Sequence, residues 1–121
     1  MEKRRIRSVE DFEVYQKAVQ LFKCFIEEDF PVLGDSFIGK DLARNQLRSL
    51  DSICANMEEG YERKSGKEIK YFFRISKGSV GEARGRYKRI ASLLPKEVAD
   101  RRVLVLNEIR AMLDSLIHKW L

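Results

Sequence analysis

Three glutamates near the middle of the chain, Glu58, Glu59 and Glu62, are the first residues whose type and spacing could support chemistry. Glu58 and Glu59 are adjacent, so on a helix their side chains point about 100° apart and do not form an acid–base pair. Glu62 lies four residues after Glu58, on the same side of a helix. A nuclease holding a divalent ion is one hypothesis, but the stretch supplies neither a nucleophile nor a complete ligand set. The sequence favours solvated carboxylates and predicts a protein with no catalytic residue, no metal and no cofactor.

The stretch GSVGEARG, which contains Gly78, Gly81 and Gly85, is superficially similar to a phosphate-binding loop. It lacks the GK[ST] ending of such loops, and no predicted strand precedes it. A helical apolar pattern runs through it instead, where each glycine costs about 1 kcal/mol relative to alanine. We therefore predict that the glycines allow a neighbouring backbone to approach closely, either within the molecule or between subunits.

The single histidine, His118, lies in the last turn of the last predicted helix. A cation there interacts favourably with the negative end of the helix dipole, so a capping role is expected rather than catalysis.

The strongest functional signal is a series of cations spaced three and four residues apart, with Gly81 filling the gap in the series. On a helix these cations share one face and repel one another. Phosphates, or acidic residues of another subunit, would relieve the repulsion, and phosphate contacts give affinity without reading a base sequence. An ordinary solvated helix face is the alternative. The series consists of Lys67, Lys70, Arg74, Lys77, Arg84 and Lys88; Lys40, Arg44 and Arg48 form a second row on the preceding segment.

The charge of the whole chain is unevenly distributed. The net charge is +5 over 121 residues, with acidic residues concentrated in 9–31 and basic ones in 66–94. Such asymmetry is typical of proteins that bind a polyanion, or of copies that meet acidic side to basic side. Because no apolar stretch is long enough to span a membrane and no export signal is present, we expect a cytoplasmic protein. Cys24 and Cys54 are then predicted to be buried free thiols.

Four amphipathic segments carry these candidates and predict four helices. The first begins at Ser8, which can form a capping box with Asp11. We expect Pro31 to end this helix and Phe30 to be extended. The apolar positions of the segment are Phe12, Tyr15, Val19, Phe22 and Ile26, with Val14, Ala18, Leu21 and Phe25 as a flanking row.

The remaining segments complete the predicted architecture. The second runs over residues 38–61, the third opens at Ser65 as capping residue, and the fourth follows Pro95. No stretch alternates with a period of two, so no sheet is expected. The sequence therefore predicts an all-α fold, an up-down-up-down antiparallel four-helix bundle, in a single domain over 9–121 after a basic tail at 1–8.

Three stretches of the chain resemble one known family. They are DFEVYQKAVQLF at 11–22, QLRSLDSICANMEEGYERKS at 46–65 and YFFRISKGSVGEAR at 71–84. The family is that of the proteins encoded within intervening sequences of bacterial 23S ribosomal RNA genes, to which the accessory variability proteins of diversity-generating retroelements are related. The residues that carry the resemblance are Ser52, Ile53, Asn56, Glu59, Gly60, Arg63, Gly78, Ser79 and Glu82.

The resemblance implies a left-handed four-helix bundle that assembles as a homopentamer and catalyses no reaction. In the retroelement branch it further implies a basic pentamer that binds a reverse transcriptase and template RNA or DNA. Within the motif we expect a structural corner: Gly60 allows close packing, Glu59 pairs with Arg63, and Asn56 bonds to the neighbouring helix or satisfies the corner.

Two functions stay open at this point besides the nuclease. One is a nucleic-acid-binding accessory protein that forms a ring and docks a polymerase. The other is an assembly module in which the acidic first helix of one copy faces the basic third helix of the next.

Overall fold

The computed structural model describes residues 7–119. The helices are α1 (Glu13–Cys24), α2 (Phe30–Leu33), α3 (Phe37–Tyr61), α4 (Gly66–Arg89) and α5 (Lys96–Lys119). A π-helical turn, Phe25–Asp29, joins α1 to α2, and we call these three pieces together the first rod. Short 3₁₀ turns lie at Val9–Asp11 and Ala91–Leu93. Of the predicted tail, residues 1–6 lie outside the described part of the chain, as do Trp120 and Leu121.

Four rods pack side by side, each antiparallel to the next along the chain. The first rod contacts α3 and α5, and α4 contacts the same two helices, so α1 and α4 occupy opposite corners. Contacts between Tyr15 and Glu58, and between Lys17 and Glu108, show the antiparallel directions. Because the links between consecutive helices are short, each helix packs antiparallel beside the one before it. The predicted all-α, up-down-up-down antiparallel four-helix bundle is confirmed.

Serine side chains set the starts of two helices. The Ser65 hydroxyl accepts a hydrogen bond from the Glu68 N–H at 3.1 Å, as the capping-box spacing predicts. The Ser36 hydroxyl caps α3 by accepting from the Gly39 N–H at 3.0 Å. These caps fix where α3 and α4 begin after the preceding turns.

The first rod differs from its prediction at its end. Phe30 is helical, with φ −58° and ψ −44°, and its N–H bonds to the Phe25 carbonyl across the π turn. The helix then continues through Pro31 to Leu33. The expectation that Pro31 ends the helix with Phe30 extended is wrong, because the π turn provides a new helix start, where a proline without N–H costs little.

The buried face of the first rod is also displaced from the predicted centre. Val14, Ala18, Leu21 and Phe25 are buried, whereas Ile26 is exposed. The row predicted to flank the core is therefore the core-facing row, and the row predicted to be central packs beside it. The buried side chains of the first rod share one core with residues of the other three helices: Leu50, Ile53, Met57, Phe73, Val80, Tyr87, Leu106, Ile109 and Leu113.

Within residues 7–119, no helix is both apolar enough and long enough to cross a lipid bilayer.

Candidate nucleic-acid interface

Helix α4 carries the candidate interface because its two sides differ. Its inner side buries Phe73, Ser76, Val80, Ala83 and Tyr87 at helical spacing. The strong apolar contacts of that side with α3 and α5 leave the opposite side facing solvent. The predicted cations occupy this outer side or its edges.

Four of the six predicted cations of α4 have neither an ion-pair partner nor a side-chain hydrogen bond within residues 7–119. Lys67, Arg74 and Lys88 are exposed, and Lys70 is half-buried. We call these four the open cations. Lys67, Lys70 and Arg74 lie in the first three turns of α4 and Lys88 in its last turn, so unpaired positive charge is found near both ends of the helix.

The other two cations are directed toward α5. Lys77 forms an ion pair with Asp114 at 2.5 Å, and Arg84 Nε donates a hydrogen bond to Asn107 Oδ1 at 2.6 Å. The spacing predicts one shared face for all six, but the side chains of Lys77 and Arg84 bond to α5 instead of remaining free. Both lie at the edge of α4 that meets α5, where polar partners are within reach of long side chains.

The second predicted row lies on α3, the neighbour of α4. Lys40, Arg44 and Arg48 are exposed, and no ion pair to any of them occurs in the described part of the chain. Asp41 and Asp51 are also exposed, three residues before Arg44 and three residues after Arg48, on the same side of α3. This row is consequently less uniformly basic than the outer side of α4.

Between α3 and α4 lies an arginine that the sequence pattern did not single out. Arg86 Nη1 donates to Gln46 Oε1 at 2.7 Å and to Ser49 Oγ at 2.9 Å. Desolvation, followed by the nearby Arg89, lowers its pKa from the ordinary arginine value. The available signal was Gln46, a polar residue in the buried register of α3 that needs a partner.

Gly78 and Gly81 of α4 face outward, whereas Gly85 is half-buried. A Cβ added at Gly78 or Gly81 would find no atom within 4 Å, and one at Gly85 would meet Arg89 Nη1 at 3.1 Å. The prediction that these glycines permit a close backbone approach within the bundle is wrong for Gly78 and Gly81. Close approach by another molecule stays a prediction.

Short polar contacts join α3 to α4 midway along their interface, before the corner formed by residues 61–66. Asn56 Nδ2 donates to the Ser52 carbonyl at 2.9 Å, and Ser52 Oγ lies 2.8 Å from Ser79 Oγ on α4. Asn56 thus bonds within its own helix, and Ser52 carries the link across. Ser76 Oγ adds a second crossing bond, to the Ile53 carbonyl at 2.8 Å.

Gly60 and Arg63 complete this corner as predicted. A Cβ on Gly60 would lie 2.8 Å from Phe73 Cδ1, so glycine is needed for the packing. Arg63 pairs with Glu59. The Arg63 guanidinium also lies over the Phe72 ring, 4.8 Å from its centroid, which is cation–π geometry.

A buried ion pair at the other end of the bundle from this corner has no counterpart among the predicted residues. Arg102 binds Asp29 through two hydrogen bonds of 2.9 and 3.0 Å, and Tyr87 donates to Asp29 at 2.6 Å. Asp29 is 0% exposed and Arg102 6%. Burial and the bond to Asp29 raise the pKa of Tyr87. The hydrogen bond to Asp29 raises the pKa of Arg102 against the opposing effect of burial.

The residues considered for chemistry are engaged in ordinary contacts. Glu58 accepts from the Tyr15 hydroxyl at 2.7 Å, beside a groove of about 730 Å³ that Glu59 and Glu62 also line. Within residues 7–119 no group of three or more His, Cys, Asp or Glu side chains is placed to hold a metal ion. His118 Nδ1 lies 2.9 Å from the Asp114 carbonyl in the last turn of α5.

The two thiols differ in burial. Both are free, as predicted, but Cys54 is buried whereas Cys24 is half-buried. Burial, reinforced by Glu58 and Asp51, raises the pKa of Cys54 to about 12.

Comparison with known proteins gives one match. The family model described as 23S rRNA-intervening sequence protein matches residues 10–115. Neither a curated protein nor a solved structure matches the chain.

Proposed function

The chain belongs to the 23S rRNA-intervening sequence protein family, and from this premise we propose that it is a non-enzymatic bundle that binds RNA or DNA through phosphate contacts. The observation that carries the proposal is the set of open cations on α4. Lys67, Lys70, Arg74 and Lys88 form no ion pair within residues 7–119, although Lys77 on the same helix does.

The open cations favour a polyanion for an electrostatic reason. Positive side chains three or four residues apart on a helix destabilise it slightly through repulsion. A phosphate backbone relieves this repulsion and releases its own counterions on binding. The contacts made in this way are to phosphates, so the protein binds many sequences with similar affinity.

Affinity at two salt concentrations tests this function. Fluorescence anisotropy with labelled RNA and DNA, single-stranded and duplex, is measured at about 50 mM and about 200 mM salt. We expect binding at the lower concentration and a fall of at least about tenfold at the higher one. Absence of binding at the lower concentration to every one of these nucleic acids would overturn the proposal.

The resemblance to retroelement accessory proteins supports a finer version of the proposal. In that version the nucleic acid is the template of a reverse transcriptase, and the bundle docks the polymerase as a homopentamer. Co-purification with a reverse transcriptase encoded beside this gene tests the docking step. A failure there removes the polymerase and leaves the nucleic-acid binding unaffected.

A second candidate function, assembly without nucleic acid, is favoured by a separate observation. Five large apolar side chains are exposed close together in the chain, around the turn from the first rod into α3. We call them the apolar corner; exposed Glu27 and Asp35 make its surroundings acidic, while Glu28, also exposed, is paired with Arg102. Its members are Ile26, Phe30, Val32, Phe37 and Ile38.

An apolar corner with acidic neighbours is suited to a basic surface of another copy. Phe37 is 88% exposed, so burying its ring in such a contact would stabilise an assembly. Light scattering of the wild type and of Phe37→Glu tests this candidate. A larger mass for the wild type, reduced in the variant, supports assembly through the corner, and a 14.2 kDa monomer at every protein concentration contradicts it.

A further inference from the structure

Tyr71 is an exposed aromatic residue in the middle of the open cations. Its side chain is 59% exposed, on a helix whose other aromatic side chains, Phe72, Phe73 and Tyr87, are buried or half-buried. An exposed tyrosine contributes little to the fold, so its position among cations calls for another explanation.

The Tyr71 ring is held in place although it is exposed. It packs edge-to-face with Phe72, with ring centroids 5.1 Å apart and planes at 83°. Phe72 in turn lies under Arg63, which Glu59 holds. This chain of contacts connects the ring to the corner of α3 and α4.

Cations flank the ring on both sides along the helix. Lys67 lies four residues before Tyr71 and Arg74 three residues after it, so the three share the outer side of α4. The two cations are about 10 Å apart along the helix axis. Beyond Arg74, Gly78 and Gly81 present bare backbone with no atom within 4 Å of an added Cβ. A ligand strand can therefore lie close against the helix there.

This arrangement matches the requirements of an unpaired strand better than those of a duplex. Cations alone bind single strands and duplexes alike, because both carry phosphates. An aromatic ring adds affinity only where a base face is free to stack on it, which a paired duplex does not offer.

We propose that Tyr71, flanked by Lys67 and Arg74, is a base-stacking platform that makes the α4 interface selective for single-stranded RNA or DNA. This inference rests on the proposed function, since it names the class of nucleic acid that the same face binds. The chemistry recognised is an unpaired base next to phosphates, which both RNA and DNA supply.

The test compares strands and variants by fluorescence anisotropy at low salt. The probes are labelled oligo(U), oligo(dT) and a mixed-sequence duplex, each about 12 nucleotides long. We expect Tyr71→Ala to weaken binding to both single strands about tenfold and to leave duplex binding within about twofold. Tyr71→Phe keeps the ring and should bind single strands as the wild type does. The oligo(U) and oligo(dT) affinities show whether RNA or DNA is preferred.

A stacking signal gives an independent readout. A single strand containing 2-aminopurine should lose fluorescence on binding the wild type and Tyr71→Phe, and should lose less on binding Tyr71→Ala. Equal weakening of single strands and duplex by Tyr71→Ala, or no weakening of either, would overturn the platform while the phosphate-binding function stands. No binding of any probe would overturn the function itself. If Tyr71→Ala changes the molecular mass of the protein in solution, the ring contacts another copy of the chain. That result would also overturn the inference.

Discussion

Arg102 and Arg74 show two opposite uses of the same side chain in this bundle. Arg102 is 6% exposed and donates two hydrogen bonds to Asp29, with the Tyr87 hydroxyl on the same carboxylate. Arg74 is exposed on α4 and forms no ion pair within residues 7–119. The first arginine is committed to the fold, and the second is left available to a partner. From this comparison we expect stability to depend on Arg102 and the proposed binding on Arg74, so mutations should separate the two.

The largest expected effect is on the buried ion pair. Arg102→Met should lower the free energy of unfolding by about 3–5 kcal/mol, because it leaves the Asp29 carboxylate buried without its cation. Arg74→Met should change it by no more than about 0.5 kcal/mol, since it touches no structural contact. Urea denaturation followed by circular dichroism measures both.

A double variant sharpens this first prediction. Asp29→Leu combined with Arg102→Met removes both charges and should regain much of the stability that Arg102→Met alone removes, although the Tyr87 hydroxyl then lacks its acceptor. Similar destabilisation by Arg102→Met and Arg74→Met would contradict the claim that Arg102 stabilises the fold and Arg74 does not.

The next largest effect on stability is expected at two glycines, Gly60 on the inner side of α3 and Gly81 on the outer side of α4. Gly60→Ala should destabilise the protein by about 1–3 kcal/mol, because the new Cβ would lie 2.8 Å from Phe73 Cδ1. Gly81→Ala should stabilise it by up to about 1 kcal/mol, because its Cβ meets nothing and alanine favours the helix. Thermal or urea unfolding measures the change in stability for each variant. Destabilisation by Gly81→Ala would contradict the outward position of that glycine.

A smaller, pH-dependent effect is expected from the buried thiol. Burial raises the pKa of Cys54 to about 12, against about 8.5 in an unfolded chain. The stability that comes from keeping this thiol neutral is complete below about pH 8.5 and declines as the pH rises toward about 12. The decline is at most about 1.4 kcal/mol per pH unit.

Comparison with Cys54→Ala isolates the thiol. Between about pH 8.5 and 10 the wild type should lose stability more steeply than the variant in urea unfolding. A thiol reagent should also label half-buried Cys24 in the native protein before it labels Cys54. Parallel pH profiles for the two proteins would contradict the buried, neutral state of Cys54.

Much of the fold follows from the sequence because it depends on periodicity. The apolar spacing of the four segments and the cap at Ser65 place the helices, and short links give the antiparallel order. The end of the first rod was mispredicted because a π turn inserts an extra residue into one helical turn. Asp29 lies four residues after buried Phe25, in line with the buried row, so it turns inward although it lies in an acidic segment.

The candidate site was predicted less completely, for a different physical reason. Spacing places Lys77 and Arg84 in the same series as Arg74, but a long side chain at the edge of a helix bonds to whatever polar group lies within reach. Asp114 and Asn107 are distant in sequence, and only the packing of α5 against α4 brings them there. Periodicity thus predicts which residues share a helix face, while tertiary packing decides which of their charges remain unpaired.

The most direct test of the central claim is the salt dependence of single-stranded RNA binding in two variants with equal charge. Lys67→Glu/Arg74→Glu reverses two open cations of α4, and Lys23→Glu/Arg101→Glu reverses an exposed lysine and an exposed arginine on the first rod and α5. The α4 variant should lower the slope of log affinity against log salt by about 1.4, that is about 0.7 for each phosphate that is no longer neutralised, and the control should keep the wild-type slope. An equal fall in both variants, or an unchanged slope in the α4 variant, would contradict the claim that the open cations of α4 bind phosphates.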